Sequence, residues 1–280
     1  MRRSLIALSL AIVASTSLTA AARADIKSPV VIATEGAYAP WNLTDSAGKI
    51  VGFEPELIDY ICKRAKLECT IVAQDWDGMI PGLIAGKSDV IMDAISITPE
   101  REQIIAFSNP YARTKAGFLT ARDGKFAKAD GTGSTLVTTP TLNNAADTLK
   151  SLRAKLSGAS IGIQTGTVYA EFIEKNFGDI ATIREYRTND ERNLDLENGR
   201  LDLAFEDTVV LMPTVEKANG ALEFTGPAFG GTLFDAGSGF GFRKGDDELK
   251  AAFNAGIAAA LADGTIKALG EKWLKADVSP

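Results

Sequence analysis

Short apolar runs rich in β-branched residues alternate along the chain with longer segments of helical periodicity. Segments 55–65 and 166–177 space their apolar residues three and four positions apart, which gives each predicted helix one apolar face. Such alternation of strands and helices is typical of an α/β fold with mostly parallel sheets. The apolar runs that we predict as buried strands are 30–34, 69–74, 89–93, 160–164, 181–186 and 201–205.

Two further helical segments lie near the C-terminus. Segments 247–264 and 265–274 are predicted as separate helices, because an Asp-Gly dipeptide between them is a strong turn signal. The stretch 122–159, in contrast, shows no clear strand. We predict a loop there, with one helix near 144–155.

One pattern occurs twice. Segments 83–93 and 196–207 share a leucine, a glycine, a basic residue, an aspartate and then an apolar strand that ends in acid. Each reads as a helix closed by glycine, a short turn and a strand. A true repeat would give two similarly wound lobes, with the strand ends at Asp93 and at Glu206-Asp207 facing each other across a cleft.

The sequence ISITPERE, residues 95–102, follows one of these strand ends. Thr98 followed by Pro99 is a strong helix start, since the hydroxyl caps the helix and proline lacks an N–H that is not needed there. Ligands of α/β proteins bind at this edge of a sheet. Arg101 could direct its planar donors at a carboxylate there, or it could be a surface arginine paired with a neighbouring glutamate.

The N-terminal residues predict export. Residues 1–24 combine a positive start, an apolar stretch and the small-residue sequence ARA, which is typical of a secretory signal peptide with the mature chain beginning at Asp25. An uncleaved membrane anchor is the weaker interpretation, because the apolar stretch is short and interrupted by serine and threonine.

Charge and composition exclude several classes of function. The net charge is −6 and no run of lysine and arginine stands out, which argues against nucleic acid or anionic lipid as a partner. Histidine is absent, so Ser/His and Cys/His catalysis and the usual zinc sites are removed. We therefore predict neither a metal nor a cofactor, although enzymes that use carboxylates, lysine or tyrosine remain possible.

Cys62 and Cys69 are the two cysteines of the chain. In an exported protein, such a close pair predicts a disulfide that joins the end of a helix to the next strand. A redox role would favour tighter spacing.

Long stretches of the chain resemble a known family. IATEGAYAPWNLTDSAGKIVGFEPELIDYICKRAKLECTIV, WDGMIPGLIAGKSDVIMDAISITPERE, IGIQTGT, GRLDLAFED and the C-terminal GFGFRKGDDELK to EKWL are similar to the bacterial periplasmic polar-amino-acid-binding proteins. The similarity is to the lysine/arginine/ornithine, histidine and opine binders. It implies a type II clamshell of two lobes, a larger one of 25–115 with 237–280 and a smaller one of 116–236. It also implies a monomer in the periplasm that delivers an amino acid to the membrane permease of an ABC transporter.

The resemblance assigns roles at the ligand's α-carbon. Arg101 would bind the α-carboxylate, assisted by Ser96 and by backbone N–H groups near Thr167 and Val168 at a helix N-terminus, where anions bind readily.

The α-ammonium would be bound on the opposite side. Asp207 would accept from it, together with the Ala94 carbonyl and the Ser96 hydroxyl, because a zwitterion needs both charges compensated once water is expelled. Asp207 could also be the N-cap of the helix that follows it, and both roles could coexist.

The resemblance also places the side-chain pocket. Tyr38 and Trp76 would form aromatic walls, Glu35 would lie near a distal cation, and Gln164 also belongs to the pocket. Asp93 departs from the family, in which many members have a small residue at this position. A second carboxylate favours a strongly cationic head such as guanidinium, so we predict a cationic amino acid, arginine first.

Two alternatives remain at this stage. Opine binders have ligands with an extra carboxylate on the α-nitrogen, which Asp207 would repel. An enzyme similar to the exported cyclohexadienyl dehydratases would need Glu35, Asp93 or Lys115 for proton transfer, in a pocket suited to an anionic diacid.

Overall fold

The computed structural model describes residues 26–138, 146–231, 234 and 236–280 of the 280-residue chain. Within those ranges the extended segments pair into two large sheets and one small sheet. In chain order the strands are β1 (Val30–Thr34), β2 (Ala37–Tyr38), β3 (Asn42–Thr44), β4 (Ile50–Val51), β5 (Cys69–Ala73), β6 (Val90–Ile91), β7 (Ala106–Phe107), β8 (Ala116–Ala121), β9 (Thr135–Thr138), β10 (Ser160–Gln164), β11 (Thr182–Tyr186), β12 (Leu203–Asp207), β13 (Leu222–Gly231) and β14 (Gly241–Phe242).

The helices predicted from periodicity are confirmed. The segment predicted as a helix over 265–274 is a short α-helix that continues as a π-helical turn. In the described ranges the helices are α1 (Phe53–Ala65), α2 (Met79–Ile84), α3 (Pro99–Glu102), α4 (Ala146–Leu156), α5 (Val168–Phe177), α6 (Asn189–Glu197), α7 (Thr208–Lys217), α8 (Asp247–Ala262) and α9 (Thr265–Leu269), with a 3-10 turn at Trp76–Gly78 and the π-helical turn at Gly270–Leu274.

The two large sheets share one winding pattern. Their strand orders are β5-β1-β6-β14-β7 and β11-β10-β12-β8-β13-β9. In each sheet three successive parallel strands are joined by helices, and the first strand lies between the other two. The same β-α-β-α-β unit therefore occurs twice, which confirms the two similarly wound lobes that the repeated sequence pattern predicts.

Outside this unit the pairing becomes mostly antiparallel. Strand β14 pairs antiparallel with β6 and β7, and β8 pairs antiparallel with β12 and β13. One further parallel pair joins β9 to β13. The predicted α/β class is confirmed, with the parallel pairing concentrated in the repeated unit.

All six predicted strands are present, β1 and β10 with the predicted ends and the other four with shifted ends. The run predicted over 89–93 is the two-residue β6, although Asp89 N–H still donates to Val31 and Met92 N–H to Ala33 on the neighbouring strand. The run predicted over 201–205 begins later, and its strand continues through Asp207.

The prediction of no strand in 122–159 is wrong, because β9 lies within it. This strand has four residues and depends on β13 for its pairing. The sequence of β13, LEFTGPAFGG, escaped prediction because glycine and proline are normally depleted in strands.

Each large sheet has its own apolar core. In the first, Phe53 of α1 and Phe253 of α8 are fully buried against the sheet, and in the second Phe118 and Phe205 are fully buried. Separate cores are what two packed units require. Between the sheets the chain crosses twice, and the crossing segments pair antiparallel at Ala112 and Ser238.

Two predictions about domain organisation concern the lobe boundaries and the signal peptide. The lobe boundaries at 115/116 and 236/237 stay a prediction. The signal peptide of residues 1–24 lies outside the described residues. Among the residues that are described, no helix has the length and apolar character needed to cross a bilayer.

The predicted disulfide is confirmed. Cys62 near the end of α1 and Cys69 at the start of β5 are bonded, with their Cα atoms 6.4 Å apart. The helix ends at Lys66, which has a positive φ of 57°, so the chain reverses within the closed loop.

Replacing both cysteines, as Cys62→Ser with Cys69→Ser, should lower the free energy of unfolding by about 2–3 kcal/mol, because the disulfide closes only a short loop of the unfolded chain. Urea denaturation followed by circular dichroism would measure this. Wild-type protein denatured under reducing conditions is the control and should match the variant. A difference below about 0.5 kcal/mol would contradict a stabilising disulfide.

Candidate ligand-binding site

One cavity lies between the two sheets. Its volume is about 20 Å³, which holds about one water molecule, so the lobes are closed upon each other. A larger ligand therefore requires the lobes to open or side chains to turn. The lining contains every residue predicted for ligand binding except Asp207, and it also contains Ile95 and Tyr169, which were not predicted. The complete lining is Glu35, Tyr38, Trp76, Asp93, Ala94, Ile95, Ser96, Arg101, Gln164, Thr167, Val168 and Tyr169.

Arg101 is directed into this cavity by the helix start predicted at Thr98. The Thr98 hydroxyl accepts from the Arg101 N–H at 3.2 Å, and proline occupies the first position of α3. The guanidinium donates to the Ser96 carbonyl at 2.9 Å and, across the cleft, to the Gly166 carbonyl at 3.2 Å. It also lies 5.4 Å from the centre of the Trp76 ring.

Burial lowers the pKa of Arg101 to about 10, partly offset by Tyr169, Glu171 and Glu100. The side chain remains protonated at neutral pH. It is therefore a permanent cation whose nearest polar contacts are carbonyl oxygens, and a carboxylate is the ligand group that matches its donors.

The N-terminus of α5 lies opposite Arg101. Thr167 caps this helix, since its hydroxyl accepts from Ala170 N–H at 3.1 Å and donates to the Gln164 carbonyl at 2.8 Å. Gly166 has a φ of +68°, and a Cβ at this position would lie 3.3 Å from the Trp76 indole nitrogen. Glycine thus lets the second lobe approach the aromatic wall of the first, and a ten-residue helix points its free N–H groups at the same place.

Two carboxylates are buried at the first lobe's strand ends. Asn42 donates to Asp93 at 2.8 Å and to Glu54 at 2.9 Å, and Asp93 also accepts from Thr34 at 3.1 Å and from Glu35 N–H at 3.1 Å. The second oxygen of Asp93 has no hydrogen-bond partner within the described residues. Burial, followed by the charge of Glu54, raises the pKa of Asp93 to about 7.

Glu35, which lies next to Asp93, connects the two lobes. Its carboxylate accepts from Gln164 at 3.1 and 3.2 Å, and Gln164 is held in turn by Asn189 at 2.8 Å. Burial, followed by the charge of Asp93, raises the pKa of Glu35 to about 8. The cavity therefore has a cationic end at Arg101 and an acidic group formed by Glu35 and Asp93.

Asp207 lies outside the cavity lining. One oxygen accepts from Val209 N–H at 3.0 Å, which makes it the N-cap of α7, and the other accepts from the Thr114 hydroxyl at 2.6 Å. The helix-cap role considered for this residue is thus observed. The carbonyl of Ala94, also predicted to bind the ammonium, accepts from the Ser238 hydroxyl at 2.9 Å.

Several residues of the site were not found from the sequence. Tyr169 was read only as part of the apolar face of α5, yet it lines the cavity and stacks on Phe234 with ring centres 5.8 Å apart. Asn42 and Glu54 sit beneath the lining, and their only signal was their place within the segment of family resemblance. Lys115, considered as a proton donor, is exposed and donates to Thr135 at 3.0 Å.

A closed cleft between two lobes of the same winding, with polar groups from both lobes turned inwards, defines a two-lobed binding protein of the type II clamshell class. The sequence comparisons agree. The model of bacterial extracellular solute-binding proteins, family 3, matches residues 30–276. The chain belongs to this family.

Individual relatives cover nearly the whole chain. The octopine-binding periplasmic protein of Rhizobium meliloti is 40% identical, and the match covers 90% of this chain and 92% of the relative. The histidine-binding periplasmic protein of Salmonella typhimurium is 34% identical over 98% of both chains. Among solved structures, a periplasmic His/Glu/Gln/Arg/opine family-binding protein from Silicibacter pomeroyi in complex with lysine is 34% identical with a TM-score of 0.72, covering 90% of this chain and 99% of that one.

The raised carboxyl pKa values predict how stability depends on pH. Glu35, Asp93 and Asp207 have pKa values of about 8, 7 and 7 when folded, well above their values in an unfolded chain. The folded state therefore retains protons that the unfolded state has lost between about pH 5 and pH 8, and stability falls as the pH rises through this range.

Thermal unfolding of ligand-free protein should accordingly show a midpoint lower at pH 8 than at pH 5.5, by on the order of 3 °C or more, since about 1 kcal/mol corresponds to roughly 2–4 °C at this size. Asp93→Asn should flatten the dependence, because it removes one of the titrating groups. A midpoint that is constant or rises from pH 5.5 to pH 8 would contradict the buried acids.

Proposed function

We propose that this protein binds an amino acid with a cationic side chain in the periplasm, with arginine as the first candidate, and delivers it to the permease of an ABC importer. The main support for this proposal is the distribution of charged groups in the cavity. Arg101 and the N-terminus of α5 meet at one end, and Glu35 and Asp93 supply the acidic groups.

The first step of the argument concerns the carboxylate. Arg101 is half-buried and already oriented by two carbonyl oxygens, so the binding of a carboxylate costs little side-chain ordering. A ligand carboxylate would replace weak carbonyl contacts with charge-assisted ones, on the lobe boundary where closure excludes water.

The second step concerns the opposite end of the ligand. A guanidinium or ammonium group near Glu35 and Asp93 would compensate two carboxyls whose ionisation burial now disfavours. Tyr38 and Trp76 also line the cavity and offer aromatic faces to a flat cation.

The relatives support the same class of ligand. They are described as binding octopine, histidine and lysine, which all combine a carboxylate with a nitrogen-rich or cationic side chain. Family membership supports a periplasmic location and docking to a permease. Export by way of the signal peptide and a monomeric state are parts of the proposal that rest on the sequence.

An opine is the second candidate, and one specific observation favours it. A free α-ammonium would need Asp207, but both of its oxygens are engaged by Thr114 and by the start of α7. An opine, whose α-nitrogen carries a carboxyalkyl group, does not need this acid. The 40% identity to an octopine-binding protein points the same way.

A dehydratase-like enzyme has less support. The cavity's carboxyls could hold a proton near neutral pH, but an anionic diacid would meet Glu35 and Asp93. Lys115 lies on the exterior. Conversion of prephenate or arogenate by the purified protein would favour this alternative.

Calorimetric titration with arginine, citrulline and octopine tests the proposal. Citrulline has nearly the shape of arginine without its charge, so it should bind at least tenfold more weakly, because a hydrogen bond to a charged group contributes about 1.5–3 kcal/mol. Equal affinities for arginine and citrulline would contradict the acidic end of the cavity. Tighter binding of octopine than of any free amino acid would establish the opine instead.

Arg101→Ala should weaken binding of the preferred ligand by about 2–5 kcal/mol, since it leaves the ligand carboxylate buried without its partner. The matched control is Arg184→Ala, which removes an exposed arginine from the second lobe and should leave the affinity unchanged. Thermal unfolding would confirm that both variants fold. Binding by Arg101→Ala within threefold of wild type would show that the carboxylate lies elsewhere.

A further inference from the structure

We infer that Tyr38, Glu206 and Arg192 form a closure latch, a buried chain of hydrogen bonds that crosses the cleft and stabilises the closed arrangement of the lobes. The inference rests on the proposed function only in that closure is taken to trap a ligand. The latch itself is a property of the protein without ligand.

The acceptor of the latch, Glu206, is held in place by groups of the second lobe alone. Glu206 on β12 is fully buried, and one of its oxygens accepts from the Arg192 guanidinium at 2.9 Å while the other accepts from Asp207 N–H at 2.9 Å. Arg192 is also fully buried, and the Asn193 side-chain oxygen accepts from its Nη2 at 2.9 Å and from its Nε at 3.2 Å. This pair stays compensated whether the cleft is open or closed.

Only one hydrogen bond of the latch crosses between the lobes. The Tyr38 hydroxyl donates to Glu206 at 3.1 Å, from β2 in the small sheet of the first lobe. Tyr38 is 8% exposed, so the contact is shielded from water. Opening the cleft must break this bond and hydrate both groups.

The other contacts across the cleft differ in kind. Glu35 bonded to Gln164 and Arg101 bonded to Gly166 are contacts of cavity side chains that a ligand would replace. The ion pair of Arg187 and Asp75 is exposed at 59% and 78% of its side chains and contributes little. The Tyr38 contact uses the hydroxyl at the end of the ring, so a ligand can pack on the ring while the bond persists.

The role of the buried ion pair follows from this geometry. A neutral acceptor would hold the Tyr38 hydroxyl less strongly than a carboxylate, and a carboxylate without Arg192 would be costly to bury. Glu206 and Arg192 are therefore positioning residues that act on the ligand through Tyr38. The latch should slow opening and hence ligand release, and should raise the closed fraction without ligand.

The test uses Tyr38→Phe, which keeps the aromatic wall and removes only the hydroxyl. Tyr186→Phe is the matched control, because the Tyr186 hydroxyl also donates to a carboxylate, Asp195 at 3.0 Å, but both residues lie in the second lobe. Labels on Lys87→Cys and Lys175→Cys, one exposed position in each lobe, would report the distance between lobes, since the native cysteines are bonded to each other.

In ligand-free protein, Tyr38→Phe should lower the ratio of closed to open molecules by about three- to tenfold, as expected for one hydrogen bond, and Tyr186→Phe should not. Stopped-flow measurements should show that the ligand dissociates faster from Tyr38→Phe by the same factor. A closed fraction and a dissociation rate both within twofold of wild type would overturn the latch, as would an equal effect of Tyr186→Phe. If no tested amino acid or opine binds, the proposed function fails, and the distance measurement alone still decides the latch.

Discussion

The first lobe's side of the cleft depends on the hydrogen bonds of the Asn42 side-chain amide. It donates to Glu54 of α1 and to Asp93 after β6, and it accepts from Gly36 N–H after β1 at 2.8 Å. Three separate segments are thereby fixed to one buried side chain. Glu54 also accepts from Ala94 N–H at 2.8 Å, which holds Ala94 in its left-handed conformation with a φ of 42°. The chain that leads to Ser96 and Arg101 takes its direction from that turn.

The repeated β-α-β-α-β unit explains why polar groups from distant parts of the sequence meet. Parallel strands bring their carboxyl ends to one edge of each sheet, and ligands of open α/β sheets bind there. Facing two such edges towards each other places Asp93 of one lobe and Gln164 of the other on one cavity. Two crossings of the chain leave the lobes able to separate, while contacts such as that of Glu35 with Gln164 form only when they meet.

Local pattern predicted the strands of the parallel unit and the longer helices, whereas nearly all of the cavity lining was assigned by the family resemblance. The antiparallel strands were not predicted because their sequences have low strand propensity. Strand β13, for example, contains three glycines and a proline. Asn42 and Glu54 were missed for another reason: a buried polar residue that supports a site has no periodic signal. Whether Asp207 faces a ligand or caps a helix depends on where α7 begins relative to the cleft, and residue type alone does not determine that.

The chain buries charged groups in two different ways. One pair is compensated within the protein, and other groups are left without an opposite charge beside them. Arg192 and Glu206 neutralise each other inside one lobe, where Asn193 and the Asp207 N–H provide further hydrogen bonds, so the pair does not need a ligand for charge compensation. Arg101 instead faces carbonyl oxygens, and Asp93 retains a buried oxygen without a hydrogen-bond partner in the described residues. Both are costly in isolation, because burial disfavours the ionised form of each. The proposed ligand, which carries opposite charges at its two ends, would relieve both costs at once, and that relief would contribute to the free energy of binding.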